Sequence, residues 1–357
     1  MMTVFTGMNR YKNHKEQHII PRFYLRGFAP DKKHLCCCSL KTKKSKGVSI
    51  NNLFSEPDYY ANRSTASTTE PALSKEEHKH AKIVQGILKT HTLTINSHEE
   101  KIDLSRLILL MVSRTKATRN RLVNRKDILD DSMMMLGITP EEYKGHELDP
   151  KLLHLAVMES ALKCPDLIAD LTPALLINQT SDPFTPLVTS DSPTFFYNLL
   201  AKGLTDLNLT DFQNKGLIIF LPLSKKIVLC LFDGVRYKIK NATGCDITSD
   251  GNVIISDGEI FDALNRNLVI HADWFVIFSQ PEYCKYVLSL QDDRLWGPRY
   301  TPVSLKLPFF ETYNETTFQG QKLFKLRNEE IRPLLYKVIE NAAERAARAS
   351  HTDNALQ

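Results

Sequence analysis

Between residues 174 and 279 the chain carries six short apolar segments, at 174–178, 187–190, 217–221, 226–232, 252–256 and 274–279, divided by Gly, Pro, Asn and Asp. Segments of that length and punctuation read as strands. A single helical pattern, at 260–270, interrupts them. Of the other helical patterns, one closes the chain at about 328–348 and the rest lie upstream. One runs from Pro71 to about Leu88, with Ser74 as its N-cap and Glu77 at the capping-box spacing. A second spans 101–136 without an internal Pro or Gly and stops at Gly137. A third covers 150–163 and ends before Pro165. Helices gathered ahead of the strands favour an α+β fold over a doubly wound parallel sheet. The expected order is N-terminal short strands, a central helical region with one long helix, a C-terminal mostly antiparallel β region and a closing helix.

This order predicts a flexible arm at 1–16 and a single α+β domain at 17–310, helical over about 70–170 and β-rich over about 174–310. A C-terminal extension with a helix follows at 311–348, then a disordered tail at 349–357. Near the start, 34–40 reads as a strand and 41–47 as an exposed turn carrying Lys41, Lys43, Lys44 and Lys46. With 42% hydrophobic and 24% charged residues the composition is that of a globular chain. A net charge of +5 is compatible with nucleic acid but far from a histone-like surface. No apolar run approaches the roughly 18 residues of a spanning helix. Three of the seven cysteines are consecutive, Cys36, Cys37 and Cys38. Side chains alternate across a strand, so these three cannot converge on one metal. With no Cys-x-x-Cys pair, the reading is reduced thiols in a cytoplasmic protein.

Gln17-His18-Ile19-Ile20-Pro21-Arg22-Phe23-Tyr24-Leu25-Arg26-Gly27-Phe28 resembles the opening of a bacterial family known as domain of unknown function 4238. That family begins with a His, an apolar residue, Pro, Tyr-Leu and Phe. Further blocks follow in the family's order. Glu56-Pro57-Asp58-Tyr59-Tyr60 resembles its aromatic step, Glu70 and Glu77 its glutamates at a helix start, and Arg114-Thr115 its Arg-Thr. Val188-Thr189-Ser190-Asp191-Ser192-Pro193 resembles its Thr-Ser-Asp-x-Pro step, and Phe220-Leu221-Pro222-Leu223-Ser224 its Pro-Leu-Ser strand. The stretch from Asn265 to His271 resembles its Asn-containing helix. Leu187 and Ser192 depart from it, where Phe and Asn are more usual. The resemblance spans about 17–280. It implies a shared fold and a choice of residues, and no reaction.

Several polar residues carry two readings each. His18, in a densely apolar segment, is either an acid, base or ligand, or a core residue bonded to backbone. Asp191 and Ser190 lie just after a strand, where a carboxylate either builds a site or caps a turn before Pro193. On the helix at 101–136, Thr115 and Thr118 fall on the stripe of Leu104, Met111 and Leu122, with Arg114, Arg121 and Arg125 beside it. Arginine set against a core needs a carboxylate or a bound anion, unless the helix simply emerges into solvent there. Glu70, Glu76 and Glu77 suit a helix start. Glu76 and His80, four apart, share a face, whereas His78 and His80 do not.

The leading expectation is a hydrolase acting on a phosphate-bearing substrate, specifically a nuclease. His18, Asp191 and Glu77 are its catalytic candidates, and Arg22, Arg114, Arg121 and Ser190 its binding candidates. The cofactor is left open, a divalent metal such as Mg2+ being the natural one for the carboxylates. The expected partner is nucleic acid or another phosphate-bearing ligand, with no membrane. The alternatives are a non-catalytic ligand-binding or sensing module, and an interaction protein working through its C-terminal helix.

Overall fold

Strands that read as unbroken apolar runs are usually covered on both faces, and that is the case here. The computed structural model describes residues 16–57, 59–60, 66–93, 95–124, 150–181, 185–201, 212, 214–290 and 305–312. In chain order these form β1 (Glu16–His18), α1 (Arg22–Leu25), β2 (His34–Ser39), β3 (Ser45–Ser49), β4 (Ser55–Pro57), α2 (Ala66–Thr90), α3 (His98–Ser113), α4 (Lys116–Asn124) and α5 (Pro150–Lys163). There follow β5 (Thr172–Asn178), β6 (Thr189–Ser190), β7 (Phe195–Tyr197), β8 (Ile218–Ser224), β9 (Ile227–Phe232), β10 (Tyr237–Ile239), β11 (Cys245–Ile247) and β12 (Val253–Ile255). The last are α6 (Gly258–His271), β13 (Phe275–Phe278), α7 (Cys284–Ser289) and β14 (Phe310–Thr312). The fold is α+β, with antiparallel-rich sheets.

A six-stranded sheet runs in the order β11-β12-β5-β9-β8-β7, and a four-stranded one in the order β3-β2-β13-β6. Pairing is antiparallel except between β12 and β5. One face of both sheets, with Cys36, Cys38, Leu176, Phe220, Cys230, Val276 and Phe278, packs on Phe261, Leu264 and Leu268 of α6. The other face, with Cys37, Leu175, Ile219, Leu229 and Ile277, packs on Val84 and Ile87 of α2 and on Leu104, Leu107, Ile108 and Met111 of α3. At about 1.5–3 kcal/mol for each fully buried apolar side chain, these two layers supply the main drive to fold. The consecutive cysteines divide between the layers as strand alternation requires, and all seven are free thiols.

Ile20, Tyr24, Leu25 and Phe28 join the second core. Gly27 brings this segment onto β8: a Cβ there would lie 2.0 Å from the Leu223 carbonyl oxygen. Pro222 pairs in register with Val228, next to the irregularity between Pro222 and Ser224 and beyond the stretch of β8 that pairs with β7, a position in keeping with the confinement of strand prolines to edges and bulges.

Two helices differ from expectation. α2 begins at Ala66, so Ser74 is an exposed mid-helix residue; Leu73 beside it packs with Tyr59, Tyr60 and Met158. The continuous helix expected over 101–136 is two helices. Ser97 and Glu100 form a capping box at the start of α3. The helix stops at Ser113, and α4 starts afresh with Thr115 Oγ1 accepting from Thr118 N at 3.1 Å, an N-cap bond. Residues 125–149 lie outside the described residues, as do 1–15 of the arm expected at 1–16 and the C-terminal helix and tail expected beyond 312; Glu16, placed in the arm, begins β1 and pairs with Pro57. Residues 311 and 312, placed in the extension, are part of β14, which pairs with β10.

Candidate functional site

β1 places alternate side chains on opposite faces. Gln17 turns inward, its Oε1 accepting from Tyr60 N at 2.6 Å. His18 turns the other way and is half-buried, with Nε2 3.0 Å from the Asn51 carbonyl oxygen. A carbonyl only accepts, so Nε2 carries the proton and the neutral ring holds its lone pair on Nδ1. Pro21 then starts α1, whose first residue, Arg22, is exposed and reaches Asn51 Oδ1 at 3.4 Å. Asn51 thus holds the imidazole with its backbone and the guanidinium with its side chain. Burial lowers the His18 pKa and Arg22 lowers it further, against the carbonyls of Asn51 and Ile50 and the charge of Glu77. The net direction is down, so the ring is neutral at pH 7.

Behind this pair stands Arg114. It is 1% exposed and sits at the break between α3 and α4. Its Nη2 donates to the His18 carbonyl oxygen at 2.5 Å, and its Nη1 lies 2.8 Å from Glu77 Oε1 on α2. That second contact acts through charge more than through a well-aligned N–H, and Nε has no hydrogen-bond partner among the described residues. The guanidinium also lies over the Tyr60 ring, 5.8 Å from its centroid. Burial opposes the charge, but Tyr60 and Glu77 outweigh it and the Arg114 pKa moves up. The partner that the sequence demanded for this arginine is therefore a carboxylate. Lys116 and Glu56 form a further ion pair, and Arg119 lies over the Tyr59 ring, 5.1 Å from its centroid. The Arg121 side chain lies outside the described residues.

Asp191 and Ser190 are placed elsewhere, at the end of β6. Asp191 Oδ1 accepts from Asp273 N at 2.9 Å, and Oδ2 accepts from Trp274 N at 2.8 Å and Phe275 N at 3.1 Å. Burial nevertheless pushes its carboxyl up to about 7, against the pull of these N–H groups. Ser190 Oγ accepts from Ser192 N at 3.1 Å and donates to Ser192 O at 2.8 Å. Both residues fit the turn reading. Among the described residues, no hydrogen bond or ion pair links them to His18, Arg22, Glu77 or Arg114. The structure thus brings together four of the seven candidates.

Sequence reasoning passed over Asn51, whose role depends on a turn meeting β1 from 33 residues away. It also passed over His154, which is buried on α5 with Nε2 2.8 Å from the Ser113 carbonyl oxygen. Burial drives the His154 pKa down to about 4. His80 is 1% exposed, and burial likewise drives it to about 4. Its Nε2 lies 4.0 Å from Glu76 Oε2, the pair that the four-residue spacing put on one face. Asn265, inside one of the resembling blocks, is fully buried. It accepts from Val188 N at 3.0 Å and donates to Pro186 O and Tyr286 Oη, each at 2.8 Å.

Among the described residues, no group of three or more His, Cys, Asp or Glu side chains is arranged to hold a metal ion. Nor, among them, is any helix long and apolar enough to cross a membrane. No curated protein and no solved structure matches the chain. A family model does match, over residues 16–282, and its span takes in β1, the Arg114 junction, the Asp191 turn and α6. The chain belongs to that family, DUF4238, described as a protein of unknown function.

Proposed function

We propose that the chain is a hydrolase of phosphate esters, with nucleic acid as its substrate, working at the His18–Arg22 pair. One observation carries this reading: Asn51 holds a neutral imidazole and an exposed guanidinium side by side. In a neutral ring fixed through Nε2–H, Nδ1 is the atom that takes a proton from an attacking water or hydroxyl. Arg22 supplies donors for phosphoryl oxygens as charge builds on them. Arg114 and Glu77 are positioning residues, since Arg114 fixes the His18 backbone and Glu77 fixes Arg114. Asp191 positions residues 273–275 and takes no part in proton transfer. His18 and Glu77 are committed to Asn51 and Arg114, which does not make a ligand set for Mg2+, so no step is assigned to a metal.

The test is cleavage of end-labelled RNA and DNA by the purified chain, with EDTA and with added Mg2+ or Mn2+. The expected result is product that disappears in both His18→Ala and Arg22→Ala while the melting temperatures hold. Intact substrate under every condition, or undiminished cleavage by His18→Ala, overturns the proposal. A second reading, a ligand-binding module without turnover, draws on the internal saturation of Asp191 by backbone N–H groups. It predicts retention of the oligonucleotide with no product.

A further inference from the structure

Three large apolar side chains are exposed among the described residues, and two of them are adjacent: Trp274 at 44% and Phe275 at 36%. Their backbone is not loose. Asp191 binds the N–H groups of 273, 274 and 275 with its two oxygens, and Leu40 N donates to Trp274 O at 2.9 Å. The rings are thus held out on a pinned segment, where an apolar surface would normally be withdrawn from water. The surroundings are basic. Lys41 Nζ lies 5.7 Å from the Trp274 ring centroid, Lys43 and Lys44 are exposed on the same β2–β3 connection, and Lys46 is exposed near the start of β3. The neighbouring acid, Asp273, accepts from Asn120 Nδ2 at 3.5 Å.

The surface also leads to the His18–Arg22 pair. The Phe275 ring meets Phe54, with centroids 6.0 Å apart. Phe54 closes the turn that Asn51 opens, and its φ of 55° is a backbone region that bulky residues rarely adopt. Three residues of chain span at most about 11 Å, so Asn51 and Phe54 lie within about one or two nucleotide steps of each other.

We infer that Trp274 and Phe275, rimmed by the lysines of the β2–β3 connection, form a platform that binds single-stranded nucleic acid by stacking on its bases. Exposed aromatics beside a basic rim suit a strand whose bases are unpaired, because each base offers a π-face while its phosphates meet the lysines. A duplex hides those faces. The inference rests on nucleic acid as the substrate class, and it names the strand form and the residues that receive it.

The experiment follows fluorescence anisotropy of a labelled oligothymidylate, with a duplex of the same length alongside, on the full chain. Trp296→Phe leaves Trp274 as the sole tryptophan, and its emission is followed in the same titration. The expected result is quenching by the single strand, with weaker binding of the duplex. Affinity should fall about tenfold in Trp274→Ala and recover in Trp274→Phe, and Lys41→Ala with Lys44→Ala should flatten the salt dependence. Equal affinity in Trp274→Ala at an unchanged melting temperature overturns the platform. So does a chain that ignores the oligonucleotide, or one that binds only anionic lipid vesicles. Binding without cleavage removes the proposed hydrolysis and leaves the platform standing. Cleavage whose kcat/KM is untouched by Trp274→Ala removes the platform and leaves the hydrolysis standing.

Discussion

Replacing Arg114 by Met tests whether this arginine is an internal strut. Methionine fills a similar volume, so the loss is chiefly of charge and hydrogen bonding. The Nη2 bond to the His18 carbonyl, at 2.5 Å, is charge-assisted and made by a guanidinium that is 1% exposed. Such a bond contributes about 1.5–3 kcal/mol, and leaving the carbonyl unpaired adds about 1–3 kcal/mol. Glu77 is 33% exposed and regains water when Arg114 leaves, so its own loss is small. The sum, about 2.5–6 kcal/mol, brackets the usual cost of about 3–5 kcal/mol for breaking a buried ion pair from one side. Glu77→Gln keeps an acceptor near Nη1 and removes only the charge, so it should cost less, about 1–3 kcal/mol. The double variant should be no less stable than Arg114→Met, because Glu77 has little left to hold; the coupling then equals the whole effect of Glu77→Gln. The assay is urea unfolding of the four proteins, read as midpoints at constant slope, with hydrogen exchange at the Ile19 amide, whose partner is the Phe54 carbonyl. That amide should exchange faster in Arg114→Met. Additive losses, or an Arg114→Met midpoint within experimental scatter of the parent, would refute the strut. A stable Arg114→Met that had lost only phosphate binding would restore the anion-holding role expected from sequence.

The pH dependence of stability carries two opposing contributions. His80 and His154 are held near 4, below their unfolded 6.5, so their contribution is complete above pH 6.5 and is lost as pH falls towards 4. His80→Leu should flatten that acid limb of the unfolding midpoint; an unchanged slope counts against it. Asp191 has the opposite sign: raised to about 7, it favours the fold fully below its unfolded 3.8 and loses that as pH rises through 7. Asp191→Asn should remove this alkaline limb and, by losing at least one N–H bond, cost about 1–3 kcal/mol at pH 5 by calorimetry or urea. Asn265→Leu strands Val188 N and the Pro186 carbonyl inside the core and should cost about 2–5 kcal/mol, read the same way. Gly27→Ala drives a methyl into the Leu223 carbonyl, so the chain must separate α1 from β8 or fail to express as folded protein.

How much was legible depended on whether the deciding signal was local. The bounds of α5 agree with those expected because Pro150 and Pro165 act within a residue or two of themselves. The split of Cys36, Cys37 and Cys38 between two cores follows from strand period alone. The break at Arg114–Thr115 was hidden, because Thr115 looks like a helix-interior residue until its hydroxyl accepts from Thr118 N. Local bonds serve the break, Thr118 Oγ1 donating to the Val112 carbonyl oxygen at 2.8 Å, and distant ones fix it, the Arg114 side chain being taken by β1 and α2. Arg114 was recognised as needing a partner, since a buried guanidinium always does, but no spacing identifies Glu77, 37 residues upstream and on another helix. The sequence left Asp191 with two readings for the same kind of reason. Asp before Ser-Pro suits a turn and a site equally, and only the backbone of 273–275 decides between them.

The blocks that carry the family resemblance turn out to touch one another. Tyr24 Oη meets Thr189 Oγ1 at 2.7 Å, Gly27 lies against Leu223, Arg114 binds the backbone of His18, and Asn265 binds the residues on either side of Leu187. Each contact is at least partly buried, and each joins segments more than 75 residues apart. Pairings of that span are entropically costly to close and lose much when either partner changes, so residues of this kind serve the fold whatever the chain does. That separates the opening segment into two populations. Ile20, Tyr24, Leu25, Gly27 and Phe28 belong to the interlock. The His18 ring and Arg22 do not: they face outward, meet each other across Asn51, and contribute no core packing. Trp274 and Phe275 stand in the same relation to the Asp191 turn, which fixes their backbone and leaves their rings in water. A search for activity should therefore begin with these four residues, because the fold has the least use for them.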